Sequence, residues 1–247
     1  MEIKIYRNKT EMSAASAAFG AELLRRALAK KGEAVMIAAT APSQFEMMEH
    51  LVAERDIDWG RVTIFHLDEY IGLPFGHRAG FRLNLRKNLI DRLPEAPKKV
   101  WYVDGDHPDE FCRSIKQVMA EFPVDVAFVG VGENGHIAFN DPPADFETEE
   151  AFKIVTLDKV CRNQQFTEGW FPSLDAVPTT ALSMTIPQIM KSAAIVNVVP
   201  DTRKAEAVRG MVEGPVSSLC PASILRTHKN CTTFLDDASA SLLPRHP

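Results

Sequence analysis

Residues 124–143 read VDVAFVGVGENGHIAFNDPP: an apolar run that ends on glycine and passes at once into a polar segment broken by further glycines. A run of that length, apolar at successive positions, fits a strand buried on both faces, as in a parallel sheet covered by helices. The segment behind it places Asn134, His136, Asn140 and Asp141 within eight positions. A turn built only to reverse the chain needs few such side chains, so they are expected to face a ligand at the carboxyl end of the strand.

The same grammar extends along the chain. Short β-branched or apolar runs occur at 3–6, 34–39, 61–67, 99–103, 152–156, 194–199 and 231–235, and helical periodicity at 11–28, 43–52, 81–89, 108–120 and 202–211. Alternation of this kind predicts one α/β domain over residues 1–247, a single open, mostly parallel sheet with helices on both faces, Rossmann-like. Ligands of such sheets bind beyond the carboxyl ends of the strands, where the strand order reverses. That rule brings 66–70 and 132–141 to the candidate site. The stretch 158–177, with Phe166, Trp170 and Phe171 among polar residues, breaks the pattern and reads either as a helical lid or as a surface excursion. The last seven residues, SLLPRHP, are expected to fray.

Composition narrows the function. With 45% hydrophobic and 25% charged residues the 247-residue chain is globular, and its net charge of -5 provides no basic field for nucleic acid. No apolar run reaches the ~20 residues of a membrane span, and the N-terminus lacks a basic start followed by an apolar core, so a cytoplasmic protein is expected. Its 4 cysteines are widely spaced and read as free thiols.

In IFHLDEYIGLP, His66, Asp68 and Glu69 arrive as a buried strand runs out. Three ionisable groups in four positions are costly to bury without partners or work to do. Ion pairing or helix capping is one reading; the other makes Asp68 a general base whose pKa burial raises toward neutrality. Glu69 can bind backbone amides, an Arg or substrate. In GVGENGHIAF, Gly130, Gly132 and Gly135 allow backbone to approach a ligand, but the spacing is not a dinucleotide fingerprint. His136 suits proton transfer, with Asp141 holding one ring nitrogen. No HExxH or Cys/His spacing points to zinc, so no metal is expected.

Four segments in the same order, LDEYIGLP (67–74), GVGENGHIAFNDP (130–142), VPTTALSM (177–184) and CPASILRTH (220–228), resemble motifs of the glucosamine-6-phosphate deaminase (isomerase) family. The related 6-phosphogluconolactonases share the fold but are expected to carry GHTASLFP where this chain has GHIAFNDP, which makes lactone hydrolysis the runner-up. A sugar-binding regulator without turnover is the nonenzymatic alternative. The resemblance implies that His136 opens the sugar ring, that Asp68 moves the C2 proton to C1, and that ammonia then leaves, without metal or organic cofactor. Asp141 falls where the family has a glutamate, and Asn134 is a hydrogen-bond orienter. Family members range from monomers to hexamers, which leaves a homo-oligomer open.

The phosphate end departs from the family. Its Gly-rich TGSTP-like segment is here ATAPS (39–43), with Thr40 and Ser43 as the remaining hydroxyls, and Ser43 with Glu46 reads as a capping box. Gln165 stands at the lid arginine, with Arg162 nearby, while Lys204 in DTRKAEAV matches the phosphate lysine and Arg203 is a possible substitute. The small-molecule ligand is therefore expected to be a sugar phosphate or amino sugar altered at its distal end.

Overall fold

The computed structural model describes residues 1–244. Its first elements are β1 (Glu2–Tyr6), α1 (Lys9–Lys31), β2 (Ala34–Ala38), α2 (Pro42–Ala53), β3 (Val62–His66), β4 (Asp68–Tyr70) and α3 (Phe81–Asn88). They are followed by β5 (Lys99–Trp101), α4 (Pro108–Glu121), β6 (Val126–Val129), β7 (Phe152–Thr156) and α5 (Lys159–Thr167). The chain ends through β8 (Thr180–Met184), α6 (Ile186–Met190), β9 (Ala194–Val199), α7 (Ala205–Glu213) and β10 (Cys231–Asp236).

Seven strands form one parallel sheet in the order β1-β10-β9-β6-β2-β3-β5. Side chains alternate across it, and each face has its own core. Ile37, Phe65, Ala127, Val129, Ile195 and Val199 pack with Phe111 and Ile115 of α4 and Val208 and Met211 of α7. Met36, Ile64, Val126, Phe128, Val196 and Phe234 face the other way, onto Met12 and Leu24 of α1, Met47 and Leu51 of α2 and Leu85 of α3. Helix α1 shows why the sequence stops where it does: Asn8 accepts from the amide of Glu11, and Gly32, in the left-handed region, returns its N–H to the carbonyl of Leu28.

Two expectations need correction. The sheet is not single. β4, β8 and β7 form a separate antiparallel sheet, so the run at 152–156 is not a parallel strand; its exposed positions Ile154 and Thr156, against buried Phe152, mark it as half-covered. The C-terminus also does not simply fray: Leu243 packs against the first core and donates its amide to Ala240, while residues 245–247 lie outside the described residues.

Successive strands run outward from β2 through β3 to β5, and from β6 through β9 to β10 on the other side. The order therefore reverses between β2 and β6, and the loops leaving their carboxyl ends part there to form a crevice.

Candidate functional site

A cleft opens at this reversal, lined by Thr40, Ala41, Ser43, Gln44, Asp68, Gly132, His136, Phe139, Gln164, Gln165 and Lys204 among others. The residues come from loops after β2, β3, β6 and β9 and from α5. Asp68 is the first residue of β4, where the chain leaves the large sheet for the small one. Only 5% exposed, it has its carboxyl pushed well above the usual range, by burial first and then by the neighbouring charge of Glu69.

The loop after β6 is shaped around His136. A Cβ on Gly132 would lie 2.2 Å from the imidazole, so only glycine leaves room for the ring against the backbone. Gly135 takes φ +84, and its amide closes the turn onto the carbonyl of Gly132. Nδ1 of His136 stands 3.0 Å from Asp141 Oδ1. Burial would raise the Asp141 carboxyl, but His136, Asn134 and the amide of Asp158 outweigh it and hold the group below its ordinary value. Asn134 Nδ2 donates to Asp141 at 2.9 Å and to Asp158 at 3.0 Å. Asp158 in turn caps α5 by accepting from Cys161 N, so the lid helix starts on the His–Asp pair. Ser183 of β8, paired in register with Asp68, accepts from the amide of Phe139 and from Asn140 Nδ2.

The other end of the chemistry is an ammonium. Lys204 is 4% exposed and has no hydrogen-bond or ion-pair partner among the described residues. Burial lowers its pKa against the opposing pull of Glu168 and Glu133. It shares the cleft with the N-terminus of α2, where the amides of Thr40 and Ala41 have no protein acceptor among the described residues. Free amides at a helix start beside a buried cation can hold an anion.

Several expected residues lie elsewhere. Glu69 faces away from the cleft: it accepts the amides of Tyr70, Phe81 and Arg82, and its Oε2 is 3.3 Å from Arg82 Nε, so it anchors α3. Arg162 is spent within the stretch 158–177, donating to the carbonyls of Leu174 and Val177, and Arg203 sits among Asp201, Glu133 and Glu168. The capping box is absent. Ala41 is the N-cap, without a side-chain bond, and Ser43 lies inside the first turn, where Gln44 Nε2 donates to its hydroxyl. Thr40 Oγ1 contacts His66 Nε2 at 3.1 Å and donates to the carbonyl of Phe81. His66 supports that hydroxyl from the core, with its pKa lowered to about 3 by burial and, secondarily, by Arg82.

A family model described as glucosamine-6-phosphate isomerases/6-phosphogluconolactonase matches residues 7–234. The chain belongs to this family. A glucosamine-6-phosphate deaminase of Lactobacillus delbrueckii subsp. bulgaricus is 35% identical over 245 residues, covering 98% of this chain and 100% of the relative. One from Pseudarthrobacter chlorophenolicus is 36% identical over 227 residues, covering 90% and 85%. The solved structure of a monomeric glucosamine-6-phosphate deaminase superposes with a TM-score of 0.89 at 29% identity, covering 98% of this chain and 100% of its own. A 6-phosphogluconolactonase from Shewanella baltica shares the fold, with a TM-score of 0.78 at 17% identity over 96% and 97%.

The stretch 158–177 folds as α5 followed by a 3-10 turn at Leu174–Ala176. Gln165 is 4% exposed on the cleft, and its carboxamide has no protein partner among the described residues. Sequence reasoning missed Gln44 and Gln164. Both sit on helix faces where a buried amide is the only signal; Gln44 donates to the carbonyl of Val198, and Gln164 accepts from the amide of Glu133. No helix is long and apolar enough to cross a membrane among the described residues.

Proposed function

We propose that the protein isomerises and deaminates a 2-amino-2-deoxyaldose phosphate, with glucosamine 6-phosphate as the first candidate. The reading is carried by one observation: a buried carboxylate, an Asp-held imidazole and an unpartnered ammonium line the same small cleft. Lys204 and the free amides before α2 take the phosphate. These groups support an anionic distal end in spite of the lost Gly-rich segment and lid arginine.

With Asp141 accepting from Nδ1–H, the Nε2 lone pair of His136 handles the proton that moves to ring oxygen O5 as the ring opens. Asp68 then removes the proton from C2 and returns it to C1, leaving an imine at C2. Water adds to that carbon, and the carbinolamine expels ammonia to give the ketose phosphate. Burial makes Asp68 a stronger base than an exposed carboxylate, which is what abstraction from carbon requires. Thr40, whose hydroxyl is engaged with His66 and Phe81, contributes its amide to the anion rather than its hydroxyl. The deaminase names of relatives at 34–36% identity favour this reading over lactone hydrolysis, since the lactonase likeness at 15–21% reaches only to the fold.

Ammonia release tests it. Glucosamine 6-phosphate is expected to yield stoichiometric ammonia and fructose 6-phosphate, unphosphorylated glucosamine far less, and 6-phosphogluconolactone no accelerated hydrolysis. Lys204→Ala should raise KM for the phosphorylated sugar roughly 10–100-fold, the worth of one charge-assisted contact. Tight binding with no ammonia from any amino sugar phosphate would replace the enzyme by a sensor, and rapid lactone opening would replace it by a hydrolase.

A further inference from the structure

Cys161 takes no part in the reaction just described, yet it is the most enclosed nucleophile near it. It is 0% exposed in the first turn of α5, within a cluster that includes Tyr70, Phe139 and Phe171. A ring nitrogen of His136, a carboxylate oxygen of Asp141 and the sulfur of Cys161 all lie within 4.8 Å of one another. Sequence spacing hides this set, because the thiol comes from the lid and the other two groups from the loop after β6.

We propose that His136, Asp141 and Cys161 form a binding site for a borderline-soft divalent cation of the zinc class, whose occupancy reversibly inhibits the enzyme. The donor set decides the class. One imidazole, one carboxylate and one thiolate suit zinc, whereas magnesium and calcium take oxygen ligands. A tetrahedral ion with bonds of about 2.0–2.3 Å holds its donors roughly 3.3–3.6 Å apart. The set must therefore tighten by no more than about 1.5 Å from its 4.8 Å limit. Three protein ligands leave the fourth position for water or for a substrate oxygen. Thiolate and carboxylate together neutralise the dication, which lowers the cost of holding it beside an aromatic cluster.

The inhibition rests on the deaminase reading of His136. A metal on Nδ1 leaves the proton on Nε2, and a metal on Nε2 occupies the lone pair itself; either way the ring cannot accept a proton from the sugar. The same ion ties α5 to the catalytic loop, so the lid cannot part from it. Binding releases the Cys161 thiol proton to solvent as the metal–sulfur bond forms.

The test uses the full chain stripped of metal with a chelator. Calorimetry with Zn2+ should show one site, weakened at least about tenfold in Cys161→Ala, since even outer-shell partners of a metal contribute that much. Co2+ should produce a thiolate-to-metal charge-transfer band that Cys161→Ala lacks and Cys112→Ala retains. Cys161→Ser, which is near-isosteric and lacks the thiolate, gives the same reading if the alanine variant does not fold. Zn2+ should inhibit ammonia release by the native protein, with recovery on adding EDTA, and should inhibit the Cys161 variants at least tenfold less. A charge-transfer band that survives in both variants, or equal affinity and inhibition with and without the thiol, would overturn the proposal. Were the native protein to release no ammonia, calorimetry and the cobalt spectrum would still decide the site.

Discussion

At the scale of single residues, Asp68 carries the sharpest consequence. Its replacement by Asn keeps the shape and removes the base, so turnover should fall by about 10²–10⁴-fold, the usual contribution of a positioned acid or base. Because burial raises this carboxyl, the acid limb of the native pH profile should lie above the ordinary carboxylate range. A limb at the pH of an exposed aspartate would remove Asp68 from the role. Much of this residue set could be read from the chain alone. Asp68, His136 and Asp141 follow strand-like runs, and local spacing already puts Asp141 within reach of His136. Glu69 could not be placed from sequence, because its role depends on which amides α3 presents to it, and those lie 12 and 13 positions away.

At the scale of elements, α5 is fastened to its own chain. Arg162 Nη2 donates to Leu174 at 2.8 Å and to Val177 at 3.0 Å, tying α5 to the turn that follows it. Arg162→Ala leaves two carbonyls without that donor, a loss of about 1.5–3 kcal/mol confined to this segment. Hydrogen exchange at Ala176 and Val177 should accelerate while the amides of β6 stay protected; unchanged exchange at 176–177 would show that this segment is held some other way. The parallel strands were legible because their apolar runs have no polar alternation. By contrast, β4 has three residues and follows β3 after a gap of one, and β8 carries Thr180 and Ser183 in a run without a β-branched majority. Neither has a local pattern long enough to separate it from a loop, and the second sheet exists only through their pairing. The apparent capping box failed for a related reason: Pro42 fixes the helix start two residues earlier than an N-cap at Ser43 would.

At the scale of the whole molecule, two buried groups set opposite slopes on stability. His66 titrates near 3 in the fold and near its ordinary 6.5 when unfolded, so between those values the unfolded chain binds the extra proton. Stability should therefore fall on acidification from about pH 6.5 toward 3, with a limiting slope of about 1.4 kcal/mol per pH unit from this group. His66→Gln keeps a donor for Thr40 without the titration, and denaturant midpoints measured across that window should flatten; an unaltered acid slope would assign it to other groups. Asp68 acts in reverse, since the folded form retains a proton that the unfolded form has lost. Its cost grows as pH rises from the ordinary carboxylate range toward the raised value, so Asp68→Asn should unfold at higher temperature than native protein at neutral pH and not in acid. Chemistry and stability thus make opposing demands on one side chain. Ser183 ties the strand that carries it to the rest of the site: it lies opposite Asp68 in the β4–β8 register, and its hydroxyl receives Phe139 N and Asn140 Nδ2. Base and imidazole belong to different layers of the protein, and this hydroxyl is the rivet between the layers. The reach of the active site across a sugar is accordingly gauged at a position that never meets the sugar, and altering that one joint would respace the chemistry without touching either reacting group.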